Sequence, residues 1–425
     1  MPTVSPGASA TAGASPSSWP ATAGTSRMTS RMRMRINLAL FAAGLATFAL
    51  LFSTQALLPD LAAGLGVPAD QASWTVSATT IGLAAAVLPV STLSERFGRR
   101  QTMTASLAVA VALAVAIPFA PSLPWLVALR AAQGAALAGV PASAVAYLSE
   151  ELPPRATVGA VGLFIAGNSV GGMTGRVMTG WVAEAFGWRA ALGAVAALAV
   201  AAAVIFRALL PQACNFCPAP LRPRLVLRTV QDHLSRPLLL RLYAIGMLLM
   251  AAFSAVYTVV GFRLTAAPFH LSAGLAGSVF VIYLVGTGSS AATGPVLDRL
   301  GRRGALYLAS GTVAAGLLLS LAGSLLPLLA GLVLITGGFF LGHAVASGSV
   351  SRSVTHGRAQ ASALYQVAYY LGASAGGTIG AVLFHAAGWP ALVAFALAAL
   401  LLTTLITLYA TRLAVRERRV LATAA

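Results

Sequence analysis

Lysine is absent from the 425-residue chain, cysteine occurs twice, and only nine residues are acidic. Each shortage excludes a class of protein. A chain without lysine cannot build the GxxxxGK[ST] phosphate loop, which rules out a nucleotide-driven engine of that kind. Cys214 and Cys217 cannot form a disulfide framework, and five histidines scattered along the chain make no metal-ligand cluster. The CNFC spacing sits alone in a polar, proline-rich stretch and reads as two loop thiols. Neither a metal nor an organic cofactor is expected. Charged side chains make up 8% of the residues, against about 25% in soluble domains. That is too few to wet the surface of a soluble fold.

What the chain has instead is length and apolarity, with 58% hydrophobic residues and 42 glycines. Apolar runs of about 20 residues, the length that crosses a bilayer as a helix, occur near 36–58, 72–93, 101–120, 123–148, 157–181 and 188–210. A second set lies near 238–262, 271–293, 304–322, 325–347, 359–384 and 389–411. The expected fold is an all-α membrane protein of twelve transmembrane helices in two six-helix bundles. Residues 1–35 read as a disordered N-terminal tail, 36–210 as the first bundle, 211–237 as a basic linker, 238–411 as the second bundle and 412–425 as a C-terminal tail. The first run is too long for the apolar core of a cleaved signal peptide and is read as a retained helix.

Charge placement supports the division and sets an orientation. Every basic residue is an arginine, and the formal net charge is +18. With the N-terminus inside, all arginines except Arg130, Arg176, Arg189 and Arg263 fall in cytoplasmic segments, as the positive-inside rule requires. A multi-pass protein of the plasma membrane, a bacterial inner membrane, with both termini cytoplasmic is expected. Because the arginines alternate with spans instead of forming one face, they do not read as a nucleic-acid surface. Lipid is the expected partner, and a single chain suffices.

The halves also repeat. SERFGRR at 94–100 recurs as LDRLGRR at 297–303, and GNSVGG at 167–172, followed by Gly187-Trp188, recurs as GASAGG at 372–377, followed by Gly388-Trp389. Parallel repeats of this kind place a substrate site between the halves near the membrane midplane.

These residues resemble the major facilitator superfamily, in particular its twelve-helix proton-coupled efflux branch for drugs and sugars. The family's loop between helices 2 and 3 is matched by Glu95, Arg96, Gly98, Arg99 and Arg100, with Ser91 where a glycine is usual and Glu95 where an aspartate is usual. The second copy carries Gly294, Asp298, Arg299, Gly301, Arg302 and Arg303. An acid beside a glycine turn and a fork of arginines can latch neighbouring helix ends through charge-assisted hydrogen bonds. Alternatively, the arginines only set topology. Arg130 and Gln133 match the Arg-x-x-Gln-Gly pattern of helix 4, and the resemblance implicates the arginine in proton coupling. Gly167, Gly171, Gly172 and Gly175 are similar to the glycine-rich motif of helix 5, although its proline is missing at Ser169-Val170.

An ionisable residue inside a span is a functional hypothesis by default. Arg130 and Arg176 qualify, with outward snorkelling as the alternative for Arg130. No acidic residue lies deep in a span, and Asp60, just past Pro59, is the nearest. Asp60 is expected either to pair with Arg130 or Arg176 in an outer gate or merely to cap a loop. Gln55, Gln133, Asn168 and His343 are candidates for cavity polarity. Tyr257, Tyr283, Tyr365, Tyr369 and Tyr370 could line a pocket or pack.

Together these features predict a secondary transporter that moves a small-molecule substrate by alternating access. Proton-coupled efflux of a drug- or sugar-like solute is expected, with protons as the coupling partner. Uptake, or passive movement of a small anionic or neutral solute, is the alternative. A membrane enzyme would need a polar catalytic constellation that the sequence does not show. A channel or a non-transporting sensor is less easily dismissed than an enzyme; saturable flux with counterflow favours the carrier, and unsaturating flux a channel.

Overall fold

The computed structural model describes residues 30–216, 218 and 223–423. The tail expected over 1–35 therefore lies outside the described residues up to position 29, as does Cys217.

Among the described residues, nine helices are long and apolar enough to cross a membrane. Two of them, Gly159–Leu209 and Arg358–Tyr409, are long enough to cross twice, and each turns back at a glycine. Gly187 and Gly388 have φ of 79° and 75°, a region that a side chain with a Cβ disfavours. A further helical segment follows Gly301, whose φ is 63° inside Thr293–Leu319. Among the described residues the main helices thus divide into twelve segments. We number them as helix 1 (Ser30–Leu51), helix 2 (Ala69–Phe97), helix 3 (Arg99–Ala116), helix 4 (123–151), helix 5 (154–186) and helix 6 (188–209), then helix 7 (Pro237–Thr265), helix 8 (273–300), helix 9 (302–319), helix 10 (Leu325–Arg352), helix 11 (358–387) and helix 12 (from 389). The turn glycines recur between the halves, Gly98 with Gly301 and Gly187 with Gly388. The linker contains a helix of its own, Pro223–Ser235.

Helix 1 is shorter than its hydrophobic run suggests. It ends at Leu51, and a short helix, Leu58–Leu65, begins after a turn. Across the turn the backbone closes through tighter bonds, Ser53 N–H to the Leu50 carbonyl (3.4 Å), Gln55 to Phe52 (3.0 Å) and Leu57 to Thr54 (3.1 Å). Helix 4 is also interrupted, as Leu123–Leu137 and Gly139–Glu151. Pro141 lacks the N–H that would bond the Leu137 carbonyl, so the ladder is cut at the join.

Within each half, glycines bring two helices into backbone contact. A Cβ at Gly167, Gly171 or Gly175 of helix 5 would run into the backbone of helix 1 at Phe41, Leu45 and Ala49. In the second half, Gly372, Gly376 and Gly380 of helix 11 meet Met247, Ala251 and Ala255 of helix 7 in the same way. Small residues let backbones approach where lipid offers no hydrophobic drive. Three of the four helix 5 glycines, Gly167, Gly171 and Gly175, serve this close packing. Gly172 points elsewhere, and its carbonyl accepts from Arg176 (2.6 Å).

The halves meet at the ends remote from the linker, which we call the distal side. There Ser77 of helix 2 bonds the Thr378 hydroxyl (2.8 Å) and the Ser374 carbonyl (3.3 Å) of helix 11. On the other flank, Trp181 Nε1 donates to Ser278 Oγ (3.0 Å), and the Glu184 carboxylate accepts the Gly274 N–H (2.7 Å). Gly180 and Gly277 bring helices 5 and 8 together at this level. Contact between these two helices is concentrated at Ala273–Ser278 and thins along Tyr283–Ala291. The bundles are therefore joined distally and part toward the face that carries the linker.

Candidate functional site

The turn that interrupts helix 1 holds both arginines expected to matter. Arg130 is fully buried. Its Nε donates to the Thr75 carbonyl (3.1 Å), one terminal nitrogen to the Leu50 carbonyl (2.7 Å), Ser53 Oγ (3.2 Å) and Gln133 Oε1 (2.6 Å), and the other to the Leu51 carbonyl (2.7 Å). The carbonyls of Leu50 and Leu51 lose their regular helical partners because the helix stops there, and Leu50 also accepts from the Ser53 N–H (3.4 Å) and hydroxyl (3.0 Å). Gln133 is fixed in turn by donating to the Ala110 carbonyl (3.2 Å). Arg130 does not snorkel: it ties helices 1, 2 and 4 together from inside the first half.

Arg176 sits beyond the same turn, 2% exposed. Its Nε donates to Gln55 Oε1 (2.7 Å) and one terminal nitrogen to the Gly172 carbonyl. Its remaining surroundings are rings. The guanidinium carbon lies 4.4 Å from the centre of the Phe52 ring, 4.9 Å from Phe280 and 4.7 Å from Tyr283. Phe280 and Tyr283 belong to the second half. Helix 8 tightens to a 3₁₀ turn over Val279–Ile282, and residues three apart eclipse in that geometry. Both rings therefore face Arg176 across the interface.

Behind those rings the second half forms a wall of aromatic side chains. Phe253 stacks on Phe339 at 3.9 Å, and Tyr257 meets Tyr283 edge to face at 5.0 Å. Tyr257 is committed to the Thr336 hydroxyl (2.6 Å). His343 adjoins Tyr369, ring centres 4.7 Å apart, and its Nδ1 pairs with the Tyr365 hydroxyl (3.0 Å). His343, Tyr369 and Phe340 remain half-buried. Across in the first half, Asn168 lies against Gly44, and its Oδ1 has no hydrogen-bond partner.

Asp60 does not pair with either arginine. The ion pairs among the described residues are Arg99–Glu150, Arg236–Asp232 and the contact of His233 with Asp232. Four of the five N–H groups of Arg130 already have oxygen acceptors, and Asp60 is carried away on the helix Leu58–Leu65 beyond the turn. It is half-buried there, and burial raises its carboxyl above the usual value of 3.8.

The two glycine-turn loops differ. In the first, Arg99 makes a salt bridge to Glu150 of helix 4 (3.1 Å) and donates to Ser94 Oγ (2.6 Å), while Arg100 donates to the Leu210 carbonyl (3.2 Å). Glu95, the acid of the motif, is in none of these ion pairs, because Glu150 from the adjacent helix end occupies the place expected for it. Arg96 is exposed. The neighbouring Glu151 accepts the backbone N–H groups of Cys214 (2.9 Å) and Asn215 (3.0 Å), which anchors the start of the linker. In the second loop Asp298 and Arg299 are exposed and outside the ion pairs of the described residues. Burial, together with the charges of Arg303 and Arg352, lowers the pKa of Arg302. At the place of Ser149-Glu150-Glu151, the second half has Arg352-Ser353-Val354.

A sequence reading centred on the motif acids passes over Glu150, Glu151, Phe52 and Phe280. The Glu-Glu pair closing helix 4 beside the arginine loop was a visible signal. The role of Phe280 depends on the local 3₁₀ turn and had none.

The comparisons agree with this architecture. The Major Facilitator Superfamily model matches residues 36–265 and 242–424. The inner membrane transport protein YnfM of Escherichia coli is 38% identical over 85% of this chain and 86% of its own length. The MFS-type transporter YybF of Bacillus subtilis, named as uncharacterized, is 36% identical over 83% of this chain and 88% of its own. A solved bacterial homolog of the human lysosomal transporter Spinster, described as inward-facing and unoccupied, superposes with a TM-score of 0.70 at 13% identity, covering 90% of this chain and 98% of that one. With both bundles matched by the family model and relatives above 30% identity along most of their length, the chain belongs to the Major Facilitator Superfamily and is a multi-pass membrane transporter.

Proposed function

We propose that this transporter is a secondary carrier of the bacterial inner membrane, with both termini cytoplasmic, which exports a small solute in exchange for protons. One observation carries the reading: the halves are joined distally, by packing of helix 2 on helix 11 and of helix 5 on helix 8 with non-covalent polar and ring contacts at Ser77, Trp181, Glu184 and Arg176. A carrier loaded from the cytoplasm needs such a closure, weak enough to exchange for one on the opposite face. The rigid clamp at Arg130 supports movement of the first half as one body.

His343 is the candidate proton carrier. It is a histidine within a span, half-buried between the bundles, with one ring nitrogen held by Tyr365. Arg99 and Glu150, with the second loop around Asp298 and Arg302, are the elements that meet when the cytoplasmic side closes.

The test is solute flux in proteoliposomes with an imposed pH gradient, with and without a protonophore. Export coupling predicts accumulation driven by the gradient, collapse with the protonophore and saturation at high solute. Flux that ignores the gradient but saturates and shows counterflow would replace coupling by facilitated passage. Flux that never saturates would refute the carrier.

A further inference from the structure

The carrier reading leaves open what is carried, and the site between the halves restricts the chemistry. Arg176 is a buried guanidinium with five N–H groups, and two oxygen acceptors serve it, Gln55 Oε1 and the Gly172 carbonyl. Three ring faces stabilise the charge, but a ring face does not replace a counter-ion in a medium of low dielectric. Among the described residues no carboxylate forms an ion pair with it. Glu184, further along the same helix, is engaged by the Gly274 N–H. Arg130 is the weaker competitor, since four of its five N–H groups are already used and all its partners lie within the first half.

The wall beside Arg176 is equally selective. It consists of ring faces, and the hydroxyls of Tyr257 and Tyr365 are bound to Thr336 and His343. A cation would be repelled by Arg176, and the polar atoms left over, the Asn168 amide oxygen and the hydroxyls of Tyr283 and Tyr369, sit at the margins of an otherwise apolar surface and bring no charge to balance Arg176. A flat apolar body carrying one negative charge fits both features.

Resting on the carrier reading above, we infer that Arg176 and the aromatic wall facing it bind the transported solute, and that this solute is an organic acid: a carboxylate on a flat, apolar, typically aromatic frame. The carboxylate takes the free N–H groups of Arg176 in a charge-assisted fork. Phe280 and Tyr283 stand on the opposite half, so an anion that draws the guanidinium toward itself weakens a contact holding the distal side shut. Binding and opening are coupled because the ligand discriminates between the two states.

The experiment uses the full-length chain in lipid nanodiscs and measures binding of three acids, benzoate, 2-naphthoate and indole-3-acetate, each against its neutral amide and its matching amine. At least one acid is expected to bind about tenfold or more tighter than its amide, with the amine weakest. Arg176→Gln is expected to erase that preference. If that variant does not fold, Arg176→Lys, which keeps the charge and loses the fork, is expected to weaken acid binding while retaining the order of acid over amide. Amides or amines binding as well as the acids would overturn the inference, as would acid preference surviving in Arg176→Gln or no acid binding at concentrations on the order of 10 mM. Counterflow of the bound acid in proteoliposomes separates the two readings. Acid binding without counterflow upholds the anion site and refutes its role in carriage. Counterflow of a different solute class without acid binding keeps the carrier and refutes the site.

Discussion

Arg130 and Arg176 lie on neighbouring helices of the same half, both almost completely removed from solvent, yet one is held by oxygen atoms and the other largely by rings. The difference originates in the interrupted helix 1. Its last carbonyls, at Leu50 and Leu51, turn toward Arg130, while Phe52 and Gln55, a few residues on, turn toward Arg176. Arg130 therefore has every partner inside its own bundle. Arg176 has two of its three ring contacts on the other bundle. A guanidinium with four of its five N–H groups bound inside one bundle serves as a clamp, whereas one with two bound, at a moving interface, is placed to bind and to switch.

The largest expected effect separates these roles. Arg130→Gln would remove every link from helix 4 to the carbonyls of Leu50, Leu51 and Thr75 and leave the Leu51 carbonyl without its Arg130 donor, a loss of about 1–3 kcal/mol for an unsatisfied buried acceptor. The apparent melting temperature in detergent is expected to fall by several degrees or more. Arg176→Gln gives up cation–π contacts but also removes an unpaired buried charge, so its stability is expected to stay within about 2 kcal/mol of the parent while solute binding is lost. Equal losses of stability in the two variants would break the comparison.

How much of this was legible in the sequence follows from the same contrast. Both arginines stood out because a charge inside an apolar run needs no structure to be noticed. The span pattern, the repeat and the glycine turns were equally visible, since hydrophobic length and Gly at recurring positions act locally. The partners were not. The interruption at Phe52–Leu57 contains Ser53-Thr54-Gln55 but no proline before Pro59, so polarity marks the place without showing that the helix stops, and Arg130 supplies from another helix donors to the Leu50 and Leu51 carbonyls. The expected Asp60 pairing failed because proximity along helix 1 does not survive a turn that redirects the chain. Glu95 is the motif's acid while Glu150 makes the salt bridge to Arg99, because a motif is read along the chain and the bridge forms between helix ends.

A smaller effect sharpens the contrast on the linker face. The Arg99–Glu150 bridge is partly exposed, with side chains 14% and 28% accessible, so Glu150→Gln is expected to cost at most about 1 kcal/mol. Arg302→Gln should cost nothing measurable, because it removes one of three neighbouring cations, Arg302, Arg303 and Arg352, whose mutual effect is unfavourable. Paired melting curves in low salt and in about 0.5 M salt check this, since screening should erase the Glu150 effect. A destabilised Arg302→Gln would reveal a partner that the second loop keeps.

The smallest effect concerns Asp60, and it bears directly on whether Arg176 lacks a counter-ion. Burial raises the carboxyl pKa in the folded protein, so the folded state holds this proton more tightly than the unfolded chain does. The resulting stabilisation is complete below the unfolded value near 3.8 and is lost as pH rises through the higher folded value. Above the folded value the ionised Asp60 carries the cost of its burial. Asp60→Asn is expected to equal or slightly exceed the parent in stability at pH 7, by less than about 1 kcal/mol, and to change solute binding little. A carboxylate that secretly neutralised Arg176 would have its pKa lowered instead, its contribution would be present above the unfolded value, and the asparagine variant would lose stability at pH 7 while matching the parent in acid. Melting curves of both proteins at pH 7 and at the lowest pH the parent tolerates distinguish the two signs. A clear loss at pH 7 would return Arg176 to an ordinary ion pair and remove the reason for an anionic ligand.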